Sequence, residues 1–542
     1  MMEEEGDLYY HDDDRYDDDD DDDEAHYEGE IMDDPAAAED DYVERVEVED
    51  QEELLITVHS TSTQDDRREC SVLLPVDYNS KFKPGTGYAG FPGYECYRTV
   101  EGTRRTVDDL LAEYPSLTSK YVLADYQTVE KGQRLQVFKI TNKNKVASAM
   151  GKGKMFVVGS IHARELSTGE TMMRFAEYLL QRYKIDPDVT WIVDSNPDGR
   201  NYLETGGDKT LWKKNRNKGT CASELYGVDP NRNFPFKWGQ CITTADNRCS
   251  SSTDCSSVVY RGPAATSEME TEAILNYAKS IFPDQQRKGN VAVSENLMNV
   301  PFAEDSEGIF IDVHSHGRYI GWPWGFANQR TPNNAALGAL GRKFASYGNY
   351  SLWAPEMPNR KYGFDGSTID TMYGLLGVAS FFFEIGTSFY QTCDTLPDVI
   401  NEVFPMLLHA AKVAKMPYKN GRGPDILCTT ITYTQKSDGK YIVAEIQVSD
   451  GARTKHADDS GIMFPTGRQT IKAVEIYVNC HPLYSVTSCQ PRVRRVLTSA
   501  GTSTTVTMQF KAPNKIFNVM YIRAIDSEQY AGPITASKFV GG

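Results

Sequence analysis

The chain has 542 residues, of which 40% are hydrophobic, and a formal net charge of −20. Residues 1–50 hold 26 acidic residues against two arginines, so the remaining 492 residues carry a net charge of about +4. The length allows two or three domains around a large core, and no apolar run reaches the roughly 18 residues that span a bilayer. We expect no membrane span, and we expect no nucleic-acid partner.

Two segments precede the first predicted domain. Residues 1–50 form an acidic tail, and consecutive like charges such as Asp17 to Asp23 repel one another and favour disorder. Residues 51–95 form a short segment that ends in the linker sequence "KPGTGYAGFPGYEC", which is rich in glycine and proline. The first 30 residues contain no apolar stretch of the signal-peptide type.

The ten cysteines indicate the compartment in which the protein works. Cys-x-x-Cys pairs are absent, which argues against a structural zinc ribbon and favours disulfide bonds. Disulfides persist in oxidising compartments, so we expect a secreted protein. An alternative start site or first exon would then supply the export signal.

Residues 96–420 alternate helical patterns with short apolar strands. The pattern predicts a helix over 107–114 and strands over 135–140, 155–161 and 309–313. Such alternation is typical of an α/β fold with a mixed, mainly parallel central sheet and helices on both faces.

Residues 425–542 have a different pattern, which follows the turn sequence "NGRGPD". Five β-rich segments are separated by turn residues, and no helix is evident. This pattern predicts an appended all-β sandwich of the immunoglobulin or fibronectin type.

Three ionisable residues follow the apolar strand in "MFVVGSIHARELSTGE" (155–170). His162, Arg164 and Glu165 stand between this strand and a helix predicted over 168–183. Open α/β sheets bind ligands just outside the carboxyl ends of their strands, so a functional site is expected here. A His-x-x-acid pair alone is weak evidence, because the chain contains three of them.

A second candidate ligand histidine lies at the end of another apolar strand, in "GIFIDVHSHG" (308–317). Catalytic zinc is often held by two histidines and a glutamate. His314 would complete such a set with His162 and Glu165. His316, two residues further on the same strand face, is the alternative ligand.

Eight motifs in order extend this argument to a family. They are "IHARE" (161–165), "SNPDGRNY" (195–202), "LWKKNR" (211–216), "GVDPNRNFPFKWG" (227–239), "YRGPAATSEMET" (260–271), "DVHSHG" (312–317), "DGSTIDTMYG" (365–374) and "FFFEIG" (381–386). In this order they resemble the catalytic domain of the zinc metallocarboxypeptidases, the carboxypeptidase A-like or funnelin family. The resemblance spans about 96–420, and it extends in kind to bacterial-type secreted members with an appended β-sandwich.

The resemblance implies a zinc site and two catalytic residues. His162, Glu165 and His314 resemble the ligands of one Zn²⁺ per catalytic domain. Glu384 resembles the general base that takes a proton from the water activated by zinc. Arg216 resembles the residue that polarises the scissile carbonyl, although it lies among lysines and could be a solvated cation.

The resemblance also implies a substrate-binding set. Asn231 and Arg232 resemble the clamp for the terminal carboxylate, although they could simply build the turn after Pro230. Arg164 and the mobile Tyr362 also belong to this set. Ile369 resembles the residue at the base of the specificity pocket, where an acid would select basic side chains. The resemblance also assigns Phe364, Phe382 and Gly325 to positions around the same pocket.

Disulfide pairing is partly implied by the family. Cys221 and Cys255 match cysteines that pair there, and Cys241 with Cys249 and Cys480 with Cys489 are pairs suggested by short loops. Cys70, Cys96, Cys393 and Cys428 allow three connectivities.

Two segments depart from the family pattern. Only "DVTWIVDS" (188–195) fills the interval before "NPDG", so either Thr190 to Asp194 form one expected strand or that strand is deleted. The prosegment-like region 51–95 is shorter than the family's inhibitory propeptide.

These features predict an exopeptidase that removes apolar or aromatic C-terminal residues from peptides or proteins. The alternatives are a related zinc amidohydrolase and a catalytically inactive binding homologue. We expect a monomer, and the partner of the β-sandwich is not identified.

Overall fold

A computed structural model describes residues 90–91, 93–143, 151–182, 188–192, 194–206, 211–241, 249–282, 298–354, 363–450, 469–483, 489–498 and 501–540. The predicted acidic tail and most of the segment 51–95 lie outside these residues.

A mixed eight-stranded sheet forms the centre of the larger part of the described chain. Its strands stand in the order β3-β4-β6-β5-β7-β10-β8-β9, and the central β6, β5, β7 and β10 are parallel. They are β3 (Thr118–Gln127), β4 (Arg134–Ile140), β5 (Lys154–Gly159), β6 (Asp188–Ile192), β7 (Ile309–His314), β8 (Tyr319–Gly321), β9 (Ser351–Trp353) and β10 (Ala379–Glu384). A short hairpin, β1 (Gly90–Phe91) and β2 (Tyr94–Arg98), precedes them.

Helices cover both faces of this sheet. They are α1 (Val100–Glu113), α2 (Leu166–Arg182), α3 (Pro197–Glu204), α4 (Met269–Ile281), α5 (Asn334–Gly348), α6 (Thr368–Leu376), α7 (Leu396–Val413) and α8 (Pro417–Asn420). Successive side chains of β5 point to opposite faces. Met155 and Val157 therefore pack in one core cluster with α2 and α7, whereas Phe156 and Val158 pack in another with α4. The predicted fold class is confirmed.

The interval before "NPDG" contains the strand that was in doubt from the sequence, although it begins and ends two residues earlier than Thr190 to Asp194. Residues 188–192 form β6, which pairs parallel with β5 and antiparallel with β4. The sheet is therefore continuous across this position, and the short interval before "NPDG" leaves no gap in it.

The C-terminal part consists of two antiparallel sheets packed around one core. The first contains β11 (Asp425–Lys436), β12 (Gly439–Ser449) and β15 (Ser503–Lys511), and the second contains β13 (Ile471–Val478), β14 (Val493–Val496), β16 (Phe517–Asp526) and β17 (Thr535–Val540). Ile442 and Phe510 from one sheet share a cluster with Ile476 and Phe539 from the other. The sequence pattern identified five of these strands and missed β14 and β17.

Buried polar contacts join the sandwich to the α/β part. Lys343 of α5 donates to Gly423 O at 2.6 Å and pairs with Asp425 of β11 at 3.1 Å. His409 of α7 is buried beside the same carboxylate, with Nδ1 3.9 Å from Asp425 Oδ1. Burial lowers the pKa of His409 to about 4, so this junction holds a neutral imidazole at neutral pH.

Four disulfides are described completely: Cys96–Cys393, Cys221–Cys255, Cys241–Cys249 and Cys480–Cys489. The Cys221–Cys255 pair is confirmed, as are both short-loop pairs. Cys428 is also disulfide-bonded, and Cys70 lies outside the described residues. Among the described helices, none combines the length and apolarity that a bilayer crossing requires.

Candidate metal centre

The turn between β5 and α2 places His162 and Glu165 at the carboxyl end of the sheet. Ser160 adopts a left-handed conformation with φ 57° and turns the chain out of the strand. Its N–H donates to Thr168 Oγ1 at 2.9 Å, and the Thr168 hydroxyl donates to Glu165 O at 2.8 Å. These hydrogen bonds fix the loop that carries both side chains.

The neighbouring strands bring two further residues to the same edge. β7 is parallel to β5 and ends at His314. β10 is parallel to β7, and its last residue, Glu384, stands in register with His314. Because the carboxyl ends of parallel strands meet at one edge, residues more than 200 positions apart converge there.

Three of these side chains form a compact donor set. His162, Glu165 and His314 are buried, and their ligand atoms all lie within 4.8 Å of one another. His162 Nδ1 is 2.6 Å from Glu165 Oε1, and His314 Nδ1 is 3.0 Å from Glu165 Oε2. Burial opposes ionisation of Glu165, yet the two histidines hold its pKa below its usual range. His316 instead packs against Phe389, with ring centroids 4.6 Å apart.

A buried carboxylate contacts the outer nitrogen of each histidine. His162 Nε2 is 3.0 Å from Asp229 Oδ1, and His314 Nε2 is 2.9 Å from Asp312 Oδ2. Thr368 donates a hydrogen bond to Asp312 at 2.6 Å. At His162 such a contact favours the tautomer that carries the proton on Nε2 and leaves the Nδ1 lone pair for a metal. Two imidazoles and one carboxylate with this support fit catalytic zinc.

Glu384 is a partly buried carboxyl beside the donor set. Burial raises its pKa to about 8, and the nearby Glu165 also raises it, whereas the charges of His314 and Lys213 lower it. A carboxyl with a raised pKa can hold and release a proton near neutral pH. This property suits a general acid or base.

The structure does not bring Arg216 to this centre as the sequence predicted. Its Nε is 2.9 Å from Glu130 Oε2. Its guanidinium carbon lies 3.7, 4.2 and 4.7 Å from the ring centroids of Tyr202, Tyr226 and Trp212. An ion pair and three aromatic rings therefore stabilise the guanidinium of Arg216.

Lys213, three residues earlier, supplies the positive charge at the centre instead. Its Nζ is 3.2 Å from Asp229 Oδ2, on the carboxylate that contacts His162. Its carbonyl accepts a hydrogen bond from Ala163 N at 3.0 Å, which fixes the residue against the metal-site loop. Sequence reasoning passed over Lys213 because it lies in a run of cations and arginine suggested the stronger match.

A family model described as zinc carboxypeptidase matches residues 103–405, which is more than half of the chain. The chain belongs to the zinc carboxypeptidase family. The four residues His162, Glu165, His314 and Glu384 all lie inside the matched region. The resemblance drawn from the eight motifs is therefore confirmed.

Relatives in the zinc carboxypeptidase family include mammalian carboxypeptidases A. Carboxypeptidase A1 of Rattus norvegicus is 28% identical over 293 residues, which cover 52% of this chain and 58% of that protein. Carboxypeptidase A1 of Homo sapiens is 28% identical over 309 residues, covering 54% of this chain and 63% of that protein. The chain thus spans less than two thirds of the length of these relatives.

Solved structures of carboxypeptidase type are also similar. Carboxypeptidase A from Helicoverpa armigera has a TM-score of 0.46 and 21% identity, over 59% of this chain and 74% of that one. Bovine thrombin-activatable fibrinolysis inhibitor has a TM-score of 0.46 and 20% identity, over 60% of this chain and 98% of that one.

The residues expected to bind a terminal carboxylate lie next to the candidate metal centre. Asn231 Nδ2 is 3.0 Å from His314 Nε2. Arg232 is nearly buried, and its guanidinium donates to Ser250 O, to Ser250 Oγ at 3.2 Å and to Asn231 O at 2.9 Å. Ser250, the residue that follows the disulfide-bonded Cys249, therefore holds the guanidinium of Arg232 in place.

The other predicted substrate-binding residues are divided between described and undescribed parts of the chain. The guanidinium carbon of Arg164 lies 4.0 Å from the ring centroid of Phe389, which also contacts His316. Ile369 is buried at the start of α6, with 1% exposure. Tyr362 lies outside the described residues.

Proposed function

We propose that this protein is a zinc-dependent exopeptidase that hydrolyses the C-terminal peptide bond of peptides or proteins. The observation that supports this most directly is the compact set of His162, Glu165 and His314, with Glu384 in register beside it. A zinc ion held by these three residues would act as a Lewis acid and promote ionisation of a water molecule near neutral pH.

Glu384 is the general base in this proposal. Its carboxylate accepts a proton from the attacking water and returns it to the amine of the departing residue. Burial, which raises the pKa of Glu384 to about 8, favours this transfer. A dication held beside it would favour the ionised carboxylate.

Lys213 takes the electrostatic role that the sequence assigned to Arg216. Its ammonium group lies at the centre with a side chain only 10% exposed. A preorganised cation in a site shielded from water stabilises negative charge that develops on the carbonyl oxygen. Its contact with Asp229 holds it in place.

The substrate's free carboxylate would be bound by Arg232, Asn231 and Arg164, and Tyr362 would close over it. The specificity pocket would lie at Ile369 and disfavour lysine and arginine. Asp365, the acid that could attract a basic side chain, is fully buried and 3.9 Å from Arg261. A cationic side chain would lose its hydration there without a free counter-charge.

We further propose that the protein is secreted and acts as a monomer on peptide C-termini. The disulfides in both the α/β part and the sandwich support an oxidising compartment.

The proposal is tested by variants that separate chemistry from metal binding. Glu384→Gln should retain one zinc per chain and lower kcat at least about 100-fold. Lys213→Met should also lower kcat about 100-fold or more, whereas Lys213→Arg should keep most of the activity and Arg216→Lys should change kcat little. Zinc content and thermal unfolding would be measured on every variant. Near-normal turnover of Glu384→Gln would refute the mechanism.

A further inference from the structure

An aromatic cluster stands beside the residue that would bind the terminal carboxylate. The ring of Phe364 lies 5.1 Å from the guanidinium carbon of Arg232. Phe364 stacks on Trp353 with centroids 5.0 Å apart, and Trp353 meets Phe382 at 5.3 Å. If Arg232 binds the carboxylate, as the proposed function requires, this cluster borders the space for the C-terminal side chain.

Two glycines in this region are covered by the rings themselves. A Cβ atom added to Gly325 would lie 2.4 Å from Cε2 of Phe364, and one added to Gly321 would lie 2.1 Å from Cε1 of Phe382. Contacts this short mean that each ring lies directly on glycine backbone. The space that the missing side chains leave is therefore filled by the protein's own phenylalanines.

Solvent exposure supports the same interpretation. An open pocket wide enough for a phenyl group admits water when no substrate is bound, so residues along its wall have accessible surface. Ile369 is 1% exposed, Phe382 is 8% exposed, and both glycines are buried. Phe364 is partly buried and forms the outer boundary of the cluster.

We propose that Phe364 and Phe382 close the specificity pocket and that the enzyme selects short C-terminal side chains, chiefly alanine, glycine and serine. This inference depends on the proposed function, and it departs from the preference for apolar or aromatic C-terminal residues that the sequence predicted. A phenylalanine or leucine side chain could enter only by displacing Phe364 from Trp353 and Gly325, which breaks close packing contacts. Single changes in side-chain size within an apolar pocket alter kcat/KM by roughly 10- to 200-fold.

The test compares N-acylated dipeptides that share one penultimate residue and end in Gly, Ala, Leu or Phe. The wild-type enzyme should release Ala at least about 10-fold faster than Phe in kcat/KM. Phe364→Ala should raise the ratio of kcat/KM for the Phe-ending peptide to kcat/KM for the Ala-ending peptide about 10-fold or more. Tyr277→Ala, a partly buried aromatic on α4, is the matched control and should keep the wild-type ranking.

The outcomes distinguish this inference from the function on which it rests. Wild-type hydrolysis of the Phe-ending peptide as fast as the Ala-ending one would overturn the inference and leave the exopeptidase assignment intact. Loss of hydrolysis on every peptide, with zinc bound, would overturn the exopeptidase assignment itself. If Phe364→Ala does not fold, Phe364→Leu makes a smaller opening, and an unchanged Ala-to-Phe ratio in that variant counts against the inference.

Discussion

Asp229 connects the metal centre to Lys213, and its substitution gives a quantitative test of the site. Its Oδ1 is 3.0 Å from His162 Nε2, its Oδ2 is 3.2 Å from Lys213 Nζ, and Oδ1 also accepts from Asn231 N at 2.9 Å. Burial opposes ionisation of Asp229, but Lys213 and His162 hold its pKa well below its usual range. A charged carboxylate can accept hydrogen bonds on both oxygens at once.

Asp229→Asn preserves the shape of the side chain but removes one acceptor. In either orientation the amide nitrogen faces a donor, the ring N–H of His162 or the ammonium group of Lys213. The imidazole can relieve the first conflict by moving its proton to Nδ1, the atom that would bind zinc. Loss of such support around a metal ligand typically weakens metal affinity 10- to 100-fold, which is about 1.4 to 2.8 kcal/mol.

Zinc affinity would be measured by competition with a chelator of known affinity, for wild type and Asp229→Asn. At a fixed free zinc concentration well above both dissociation constants, the zinc-linked gain in unfolding free energy should fall by the same amount. Asp108→Asn, an exposed change on α1, is the control for loss of an acidic group. An Asp229→Asn variant with wild-type zinc affinity would refute the assigned role of this carboxylate.

Two further predictions concern stability. Burial lowers the pKa of His409 from 6.5 to about 4, so the unfolded chain binds a proton before the folded chain does as the pH falls. The folded protein therefore loses stability between pH 6.5 and 4, and His409→Gln should remove about 3 kcal/mol of that loss. An equal pH slope of the unfolding free energy in wild type and variant would contradict this. Replacing both Cys221 and Cys255 by serine opens a loop with a sequence separation of 34 residues. This should lower the unfolding free energy by about 3 to 4 kcal/mol. An unchanged denaturant midpoint under non-reducing conditions would show that the disulfide does not stabilise the fold.

The sequence was most informative where function depends on local order along the chain. His162 and Glu165 follow one apolar strand and His314 ends another, so the rule for strand ends in α/β sheets locates them without tertiary information. The fold class followed from the same alternation of elements. The shared family motifs then predicted Glu384, which lies on the adjacent strand in the structure.

The residues that sequence reasoning missed act through tertiary proximity. Asp229 and Asp312 resemble any other acids until the sheet brings each to a histidine nitrogen. Lys213 and Arg216 lie in one cationic run of the sequence. Only the structure shows that aromatic rings surround Arg216, whereas Lys213 contacts Asp229 beside the candidate metal centre. The Cys96–Cys393 pair joins residues 297 positions apart, and at such a separation the spacing of cysteines in the sequence does not predict which of them pair.

The two missed strands share a position in the sandwich. β14 and β17 are the outer strands of the second sheet, where each has one neighbour. β14, with the sequence VRRV, is rich in arginine and largely exposed. Edge strands often carry charged residues that prevent pairing with other chains, so their hydrophobic alternation is weak.

The Cys96–Cys393 disulfide turns most of the catalytic part into a covalent ring. His162, Glu384 and the other proposed site residues lie between its two cysteines in sequence. A protease that cuts one peptide bond within this ring converts the circle into a linear arrangement but releases no fragment. A nicked molecule would therefore migrate as one species on a non-reducing gel and separate into two pieces only after reduction, with both halves of the proposed site retained until then.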